Sequence, residues 1–283
     1  MEEHSYTRKE SVENYDLLRD LPEDIKIEYA KNIMNLCEGK SVLDLGFGTG
    51  NTLIYLSKLN KNSLIYGVDN SKEMCIETKK KLGDGTKIFN GELGEFIEKF
   101  GEVDLLHFKA ILHCVKNPEE LISEIMDAVK LGGHIVTSHE FSQTEDRIEQ
   151  IFNYTEIDDK EVESIFEYYF ELRTSMGIPF KLRKFPAGNS DKVLDYIVKT
   201  GKFLKEKSIV NEKLSWKREI KILDILNAMK KGTFGVFFDG VSTSHREEIY
   251  NRMIKFAERK DIDLEKHRLL PSKFKVNILR KIK

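Results

Sequence analysis

The sequence is short of proline, with 5 in 283 residues, and its 18 glycines form no repeat. That scarcity excludes a collagen-like array and argues against Pro-rich or disordered linkers. The three cysteines, Cys37, Cys75 and Cys114, are odd in number and form no CxxC pair. Neither a disulfide framework nor a zinc site is expected, no metal is expected elsewhere, and a reducing cytoplasm is the expected compartment. No apolar run reaches the ~18 residues of a membrane span. The opening MEEHSYTRKE is charged and lacks the apolar stretch of a secretory signal. An excess of one charge is missing too: 46 Lys and Arg stand against 48 Asp and Glu, a formal net charge of -2. Without a global positive field, neither nucleic acid nor an anionic membrane is an expected partner.

What is present is a strand–helix alternation beginning near residue 40. SVLDL (41–45), SLIYGVD (63–69), KIFN (87–90), VDLLHF (103–108) and HIVTSHEF (134–141) read as strands. The segments 52–59, 71–82, 92–100 and 118–130 between them read as helices, and another over 22–36 precedes them. Such alternation predicts a parallel sheet with helices on both faces. Residues 143–176 break the pattern, being helical, acidic and interleaved with aromatics. The sheet pattern resumes with a helix over 190–200, a strand over 203–214, helices over 217–230 and 244–260, and a last strand over 273–280.

The segment Val42-Leu43-Asp44-Leu45-Gly46-Phe47-Gly48-Thr49-Gly50 is the most informative. A buried strand runs into glycines at alternate positions and then into a helix. Such glycines permit tight turns and let a ligand approach the main chain. The next strand ends at Asp69, where a carboxylate can accept hydrogen bonds from both ribose hydroxyls. A dinucleotide fingerprint, G-x-G-x-x-G, would need glycine at Asn51; the spacing here is G-x-G-x-G. Asp44, just ahead of the loop, would repel a pyrophosphate and attract an ammonium. S-adenosylmethionine has an adenosine, a sulfonium, an amino-acid head and no phosphate, and it suits this chemistry better than NAD does.

VLDLGFGTG, GVDNSKEM, NGEL (90–93) and the stretch 108–141 together resemble, in order, the motifs of the class I S-adenosylmethionine-dependent methyltransferases. The resemblance covers roughly residues 24–141 and extends more loosely to the last two strands. It implies an α/β fold: a Rossmann-like, doubly wound, seven-stranded, mostly parallel sheet with a helical cap insertion after the fifth strand. The expected segments are 1–141, a lid plus the cofactor-binding half; 142–188, the cap; and 189–283, the completion of the sheet with substrate-site helices. Carried over by position, the resemblance implies that Asp44, Gly46, Gly48 and Gly50 line the methionine head. It places Asp69 on the ribose, Asn70 and Met74 beside the adenine, and Glu92 and Leu93 at the edge of the base. Lys109 would contribute backbone at the amino-acid end. Glu92 stands where the family more often has Asp, and Leu93 where a smaller residue is commoner.

His113 and His139 fall on the rim where the methyl would be presented and are candidate catalytic groups. The alternative for each is a histidine that packs or caps. His107 sits inside a strand and reads as structural. Tyr168, Tyr169 and Arg173 in the insertion are candidate substrate contacts, against the alternative of helix core. The implied function is methyl transfer to nitrogen or oxygen of a small-molecule acceptor, by a monomer or homodimer. An RNA or protein methyltransferase, a non-catalytic S-adenosylmethionine-binding protein and an NAD-dependent oxidoreductase are the competing readings. The D/N-P-P-Y/F motif of nucleic-acid amino-methylating enzymes is absent; Phe108-Lys109-Ala110-Ile111 stands in its place.

Overall fold

The computed structural model describes residues 20–59, 61–82, 86–109, 111–112, 118–140, 159–178, 190–210, 212–232 and 241–283, with Val12, Tyr15 and Asp16. They divide into two compact units. One takes the described residues within Leu21–His139, Arg183–Leu214 and Phe274–Lys283. The other takes those within Met1–Asp20, Glu140–Leu182 and Ser215–Lys273.

The first unit opens with α1 (Glu23–Cys37), β1 (Ser41–Leu45), α2 (Leu53–Leu59), β2 (Leu64–Asp69) and α3 (Lys72–Lys81). It continues through β3 (Lys87–Asn90), α4 (Leu93–Phe100), β4 (Val103–Lys109), α5 (Pro118–Asp127) and β5 (Val129–Glu140). After α6 (Lys160–Ser175), which belongs to the other unit, come α7 (Ser190–Lys199) and β6 (Phe203–Ile209). The second unit adds β7 (Ser215–Ile220), α8 (Ile222–Lys231) and α9 (Thr243–Arg259). The last strand, β8 (Arg268–Lys281), contributes its first part to the second unit and its remainder to the first.

The main sheet has the order β3-β2-β1-β4-β5-β8-β6. Pairings β1–β2, β1–β4, β2–β3 and β4–β5 are parallel, and β6–β8 is antiparallel. These seven strands match the expected mostly parallel sheet. Val42, Leu43, Leu105, Leu106, Ile135 and Val136 are fully buried. Strands covered on both faces explain apolar runs that do not alternate. The chain winds outward from β1 toward β3 and then crosses back to β4, so the carboxyl ends of β1 and β4 flank a topological switch point, where such sheets bind ligands. Local signals support the helices beside it. Ser71 caps α3 by accepting from the Met74 amide, and Lys79, Lys80 and Lys81 fill its last turn, where the helix dipole favours cations.

At the opposite, amino-terminal edge, Asp104 Oδ2 accepts from the Ser41 amide at 2.9 Å and hydroxyl at 2.6 Å, and from Lys130 Nζ at 3.1 Å. Burial pushes the Asp104 carboxyl up, but these Ser41 and Lys130 donors outweigh it, and the net shift is downward. A depressed carboxyl stabilises the fold above its unfolded-state pKa and loses that contribution as pH falls from there through its lower folded-state value. Asp104→Asn should therefore cost about 0.5–1 kcal/mol at neutral pH. Urea unfolding of both proteins should show the gap closing in acid.

Three elements differ from the sequence reading. The helix expected to reach residue 130 ends at Asp127, and β5 begins at Val129 rather than at 134. Gly132, at φ 79°, lies in an irregularity where the β4–β5 register shifts, so the Gly132–Gly133 pair sits inside the strand and does not end the helix. The sixth strand stops at Ile209 and gives way to a short 3₁₀ turn at Glu212–Leu214. Residues 217–230, read as one helix, split into β7 and α8. An eighth strand results, because β7 pairs antiparallel with the opening of β8, from Ser215↔Lys273 to Ile220↔Arg268.

The second unit has its own core, in which Phe166, Tyr169, Leu226, Met229, Ile249 and Met253 from α6, α8 and α9 are buried together. Asp159 caps α6 by accepting from the Glu161 and Val162 amides. Arg268, buried in β8, donates to both Asp159 and Glu161. Residues 215–273, expected to complete the sheet, thus group largely with α6. Residues 142–158 and 179–188 of the expected insertion lie outside the described residues.

Candidate functional site

The glycine loop follows β1 directly. Gly46, Gly48 and Gly50 adopt φ values of 66°, 57° and 81°, in the left-handed region that side chains resist. Their surroundings differ. A Cβ on Gly46 would run into Cγ2 of Ile111, and one on Gly50 would lie 2.6 Å from Cγ2 of Thr78. A Cβ on Gly48 would meet nothing within 4 Å. The outer two glycines are therefore closed against protein, and the middle one faces open space.

Asp69, at the tip of β2, holds this loop. Its Oδ2 accepts from the Gly48 amide and its Oδ1 from the Ser71 amide, each at 2.9 Å. Burial raises its carboxyl pKa, and the two amides only partly offset that. Helix α3 fixes the loop from another side: Thr78 Oγ1 donates to the Gly48 carbonyl at 2.8 Å, and Lys81 Nζ to the Thr49 carbonyl at 3.1 Å. Asn70 and Glu92 are exposed and joined at 3.1 Å from Asn70 Nδ2 to Glu92 Oε1. Glu92 also forms a capping box with Glu95 at the start of α4. Met74 and Leu93 are buried. Lys109 ends β4, half-buried, with Nζ 5.3 Å from the Phe274 ring centre.

Asp44 stands in β1 opposite His107 in β4. It is buried, and its Oδ1 lies 2.7 Å from His107 Nδ1. Its Oδ2 is buried without a hydrogen-bond partner. The sheet thus brings Asp44, the three glycines, Asp69, Asn70, Glu92 and Lys109 to the carboxyl ends of β1–β4. In the sequence His107 reads as structural, and nothing local marks Tyr29 or Ser138, which extend its contacts. Only the β1–β4 register, aligning Asp44 with His107, could have pointed to it.

The remaining candidates are His113 and His139, and the three residues of α6. His139 is the penultimate residue of β5, at the same carboxyl edge, but its side chain and all of His113 lie outside the described residues. Tyr168, Tyr169 and Arg173 belong to the second unit. Tyr168 stacks on Phe256 with ring centres 4.1 Å apart. Arg173 is 1% exposed and donates from Nη1 to the Tyr169 hydroxyl and from Nε to the Ile178 carbonyl, both at 3.1 Å. Burial raises the Tyr169 hydroxyl to about 12, although Arg173 pulls the other way. Contrary to the expected substrate contacts, Tyr169 and Arg173 pack the core and tie down the end of α6. Among the described residues, no cluster of three or more His, Cys, Asp or Glu could hold a metal, and no helix is long and apolar enough to cross a membrane.

An open central glycine, a strand-tip carboxylate and a buried carboxylate oxygen without a partner fit a ligand with a ribose and an ammonium. That set suits a nucleoside-type ligand at the switch point of a Rossmann-like sheet. The methyltransferase domain family matches residues 42–133, which include the loop, Asp69 and Glu92. The carboxy-S-adenosyl-L-methionine synthase of Nautilia profundicola is 28% identical over 163 residues, 54% of this chain and 61% of that protein. An uncharacterized methyltransferase of Geobacillus is 29% identical over 158 residues, 53% of this chain and 68% of that protein. In fold, the chain is similar to YjhP of E. coli, with a TM-score of 0.53 at 11% identity, covering 99% of this chain and 100% of that one. Residues 42–133 accordingly form a class I S-adenosylmethionine-dependent methyltransferase domain, and S-adenosylmethionine is the cofactor of that class.

Proposed function

We propose that this chain transfers a methyl group from S-adenosylmethionine to nitrogen or oxygen of a small-molecule acceptor. The observation that carries the reading is the Gly46–Gly50 loop held between Asp44 and Asp69, with open space at Gly48. The near-balanced net charge of -2 supports a small acceptor over a nucleic acid.

In this reading Asp44 and the glycines hold the methionine head, with the Lys109 backbone beside it. Asp69 accepts from the ribose hydroxyls while keeping the Gly48 amide. Asn70, Met74, Glu92 and Leu93 border the adenine. The bound cofactor supplies a methyl group on a sulfonium, activated for in-line displacement. The protein's share is then to align the acceptor and exclude water. His113 and His139 are assigned to the acceptor side, where a base is needed only if the attacking atom carries a proton.

Purified protein should bind S-adenosylmethionine in equilibrium dialysis. With a panel of small amines, phenols and alcohols it should release S-adenosylhomocysteine, detected by mass spectrometry. Absence of binding would reject the domain's assigned role here. Turnover confined to added RNA or protein, or binding without turnover on any acceptor, would reject the small-molecule reading.

A further inference from the structure

A file of buried polar side chains runs from β5 through α1 and β4 to β1. The Tyr29 hydroxyl lies within hydrogen-bond distance of Ser138 Oγ, at 2.7 Å, and of His107 Nε2, at 2.6 Å. His107 Nδ1 reaches Asp44 Oδ1 at 2.7 Å. None of the four residues is more than 2% exposed. Four polar groups in a sheet core are costly there unless each finds a partner, and apolar side chains of similar size would fill the same space without that cost. The file satisfies its members in sequence and stops at one atom, Asp44 Oδ2, which is buried with no partner.

The ends of the file differ in kind. At Ser138, third from the end of β5, it closes on a hydroxyl that has its partner in Tyr29. At Asp44 it arrives two residues before the glycine loop. A carboxylate can only accept, so the imidazole donates from Nδ1 and fixes the plane of the Asp44 carboxyl group. Tyr29 holds the imidazole at its other nitrogen and packs on it edge-to-face, with ring centres 5.7 Å apart. An aromatic ring bonded at both nitrogens cannot swing as a lysine would, and such backing is how an outer residue orients a ligand-binding one.

We propose that His107, backed by Tyr29 and Ser138, is a positioning residue for the cofactor: it ties one oxygen of Asp44 so that the other receives the ammonium of the methionine head. This rests on the assignment of Asp44 made under the proposed function. The two can fail separately, because adenosine compounds with and without that head are available.

The test compares S-adenosylhomocysteine, which carries the amino-acid head, with 5′-methylthioadenosine, which lacks it, by isothermal titration. His107→Leu should weaken S-adenosylhomocysteine about tenfold, the scale of one lost charge-assisted hydrogen bond, and leave 5′-methylthioadenosine within about twofold. His107→Asn should recover most of the loss, because its amide can donate near the place of Nδ1. Tyr29→Phe should fall between the two. Equal weakening of both compounds, or no weakening of either, would overturn the proposal. Should His107→Leu fail to fold, Tyr29→Phe decides by the same ratio: an unchanged ratio overturns the inference and a selective loss supports it. A wild-type protein that binds neither compound would remove the functional reading itself, and this inference with it.

Discussion

Replacing Asp69 with alanine should weaken S-adenosylhomocysteine about 100-fold, with a smaller loss of thermal stability. The two effects separate because Asp69 does two things at the end of β2. It accepts from the Gly48 and Ser71 amides, and in the proposed function it also accepts from the ribose. Two lost hydrogen bonds to a charged acceptor, each worth about 1.5 kcal/mol, correspond to roughly that drop in affinity. Stability behaves differently. Burial raises the Asp69 carboxyl in the folded protein, so its ionised form is less favourable there than in the unfolded chain. The sign follows: a raised carboxyl contributes more to stability as pH falls, and at neutral pH its charge works against folding. Removing that charge offsets part of what the two freed amides lose. Asp69→Asn keeps one acceptor oxygen but turns an NH2 toward the second backbone amide, so it should bind almost as poorly and melt below the wild type. A carboxylate that costs stability and carries binding is a common arrangement at functional sites. Titration calorimetry and a melting curve on the same samples test both halves. Near wild-type affinity in Asp69→Ala would exclude the ribose role.

The parts legible in the sequence are those whose cause is local. The loop from Gly46 to Gly50 was readable because three glycines after a buried apolar strand have few other uses, and all three take positive φ. Strands β1 to β4 were readable because each is short, apolar and bounded by turn residues. What escaped depends on partners distant in the chain. β7 looked like the start of a helix, because its pairing with β8 joins residues about fifty positions apart. The Gly132–Gly133 pair looked like a helix stop, because nothing local shows that β4 accepts an irregular register there. His107 is plain in the sequence, but its contacts need Asp44 from β1, Tyr29 from α1 and Ser138 from β5 to meet in one place. The aromatics and Arg173 of α6 resembled pocket residues on composition. The structure turns them into core because Tyr169 and Ile178 supply the partners of the guanidinium.

The glycine loop yields the sharpest contrast, because two of its glycines are identical in sequence terms and opposite in surroundings. Alanine at Gly46 meets two penalties. A positive φ costs an L-residue about 1–2 kcal/mol. Its Cβ would also run into Cγ2 of Ile111, an atom one bond from that residue's own Cβ and unable to swing clear. Overpacking of this kind adds about 1–3 kcal/mol. Gly46→Ala should thus lose about 2–5 kcal/mol, enough to depopulate the folded state of a marginally stable chain. Alanine at Gly48 meets only the first penalty, since nothing lies within 4 Å of its Cβ. The variant should fold, with a loss of about 1–2 kcal/mol. Its methyl group would occupy the space through which a ligand reaches the loop backbone, so affinity for S-adenosylhomocysteine should drop about tenfold or more. Urea unfolding ranks the two variants by stability, and titration of the folded Gly48→Ala protein reads the binding loss. If Gly48→Ala binds as the wild type does, the open space beside it is not where the cofactor lies. If it unfolds like Gly46→Ala, the loop's tolerance has been misjudged and the contrast between the two glycines collapses.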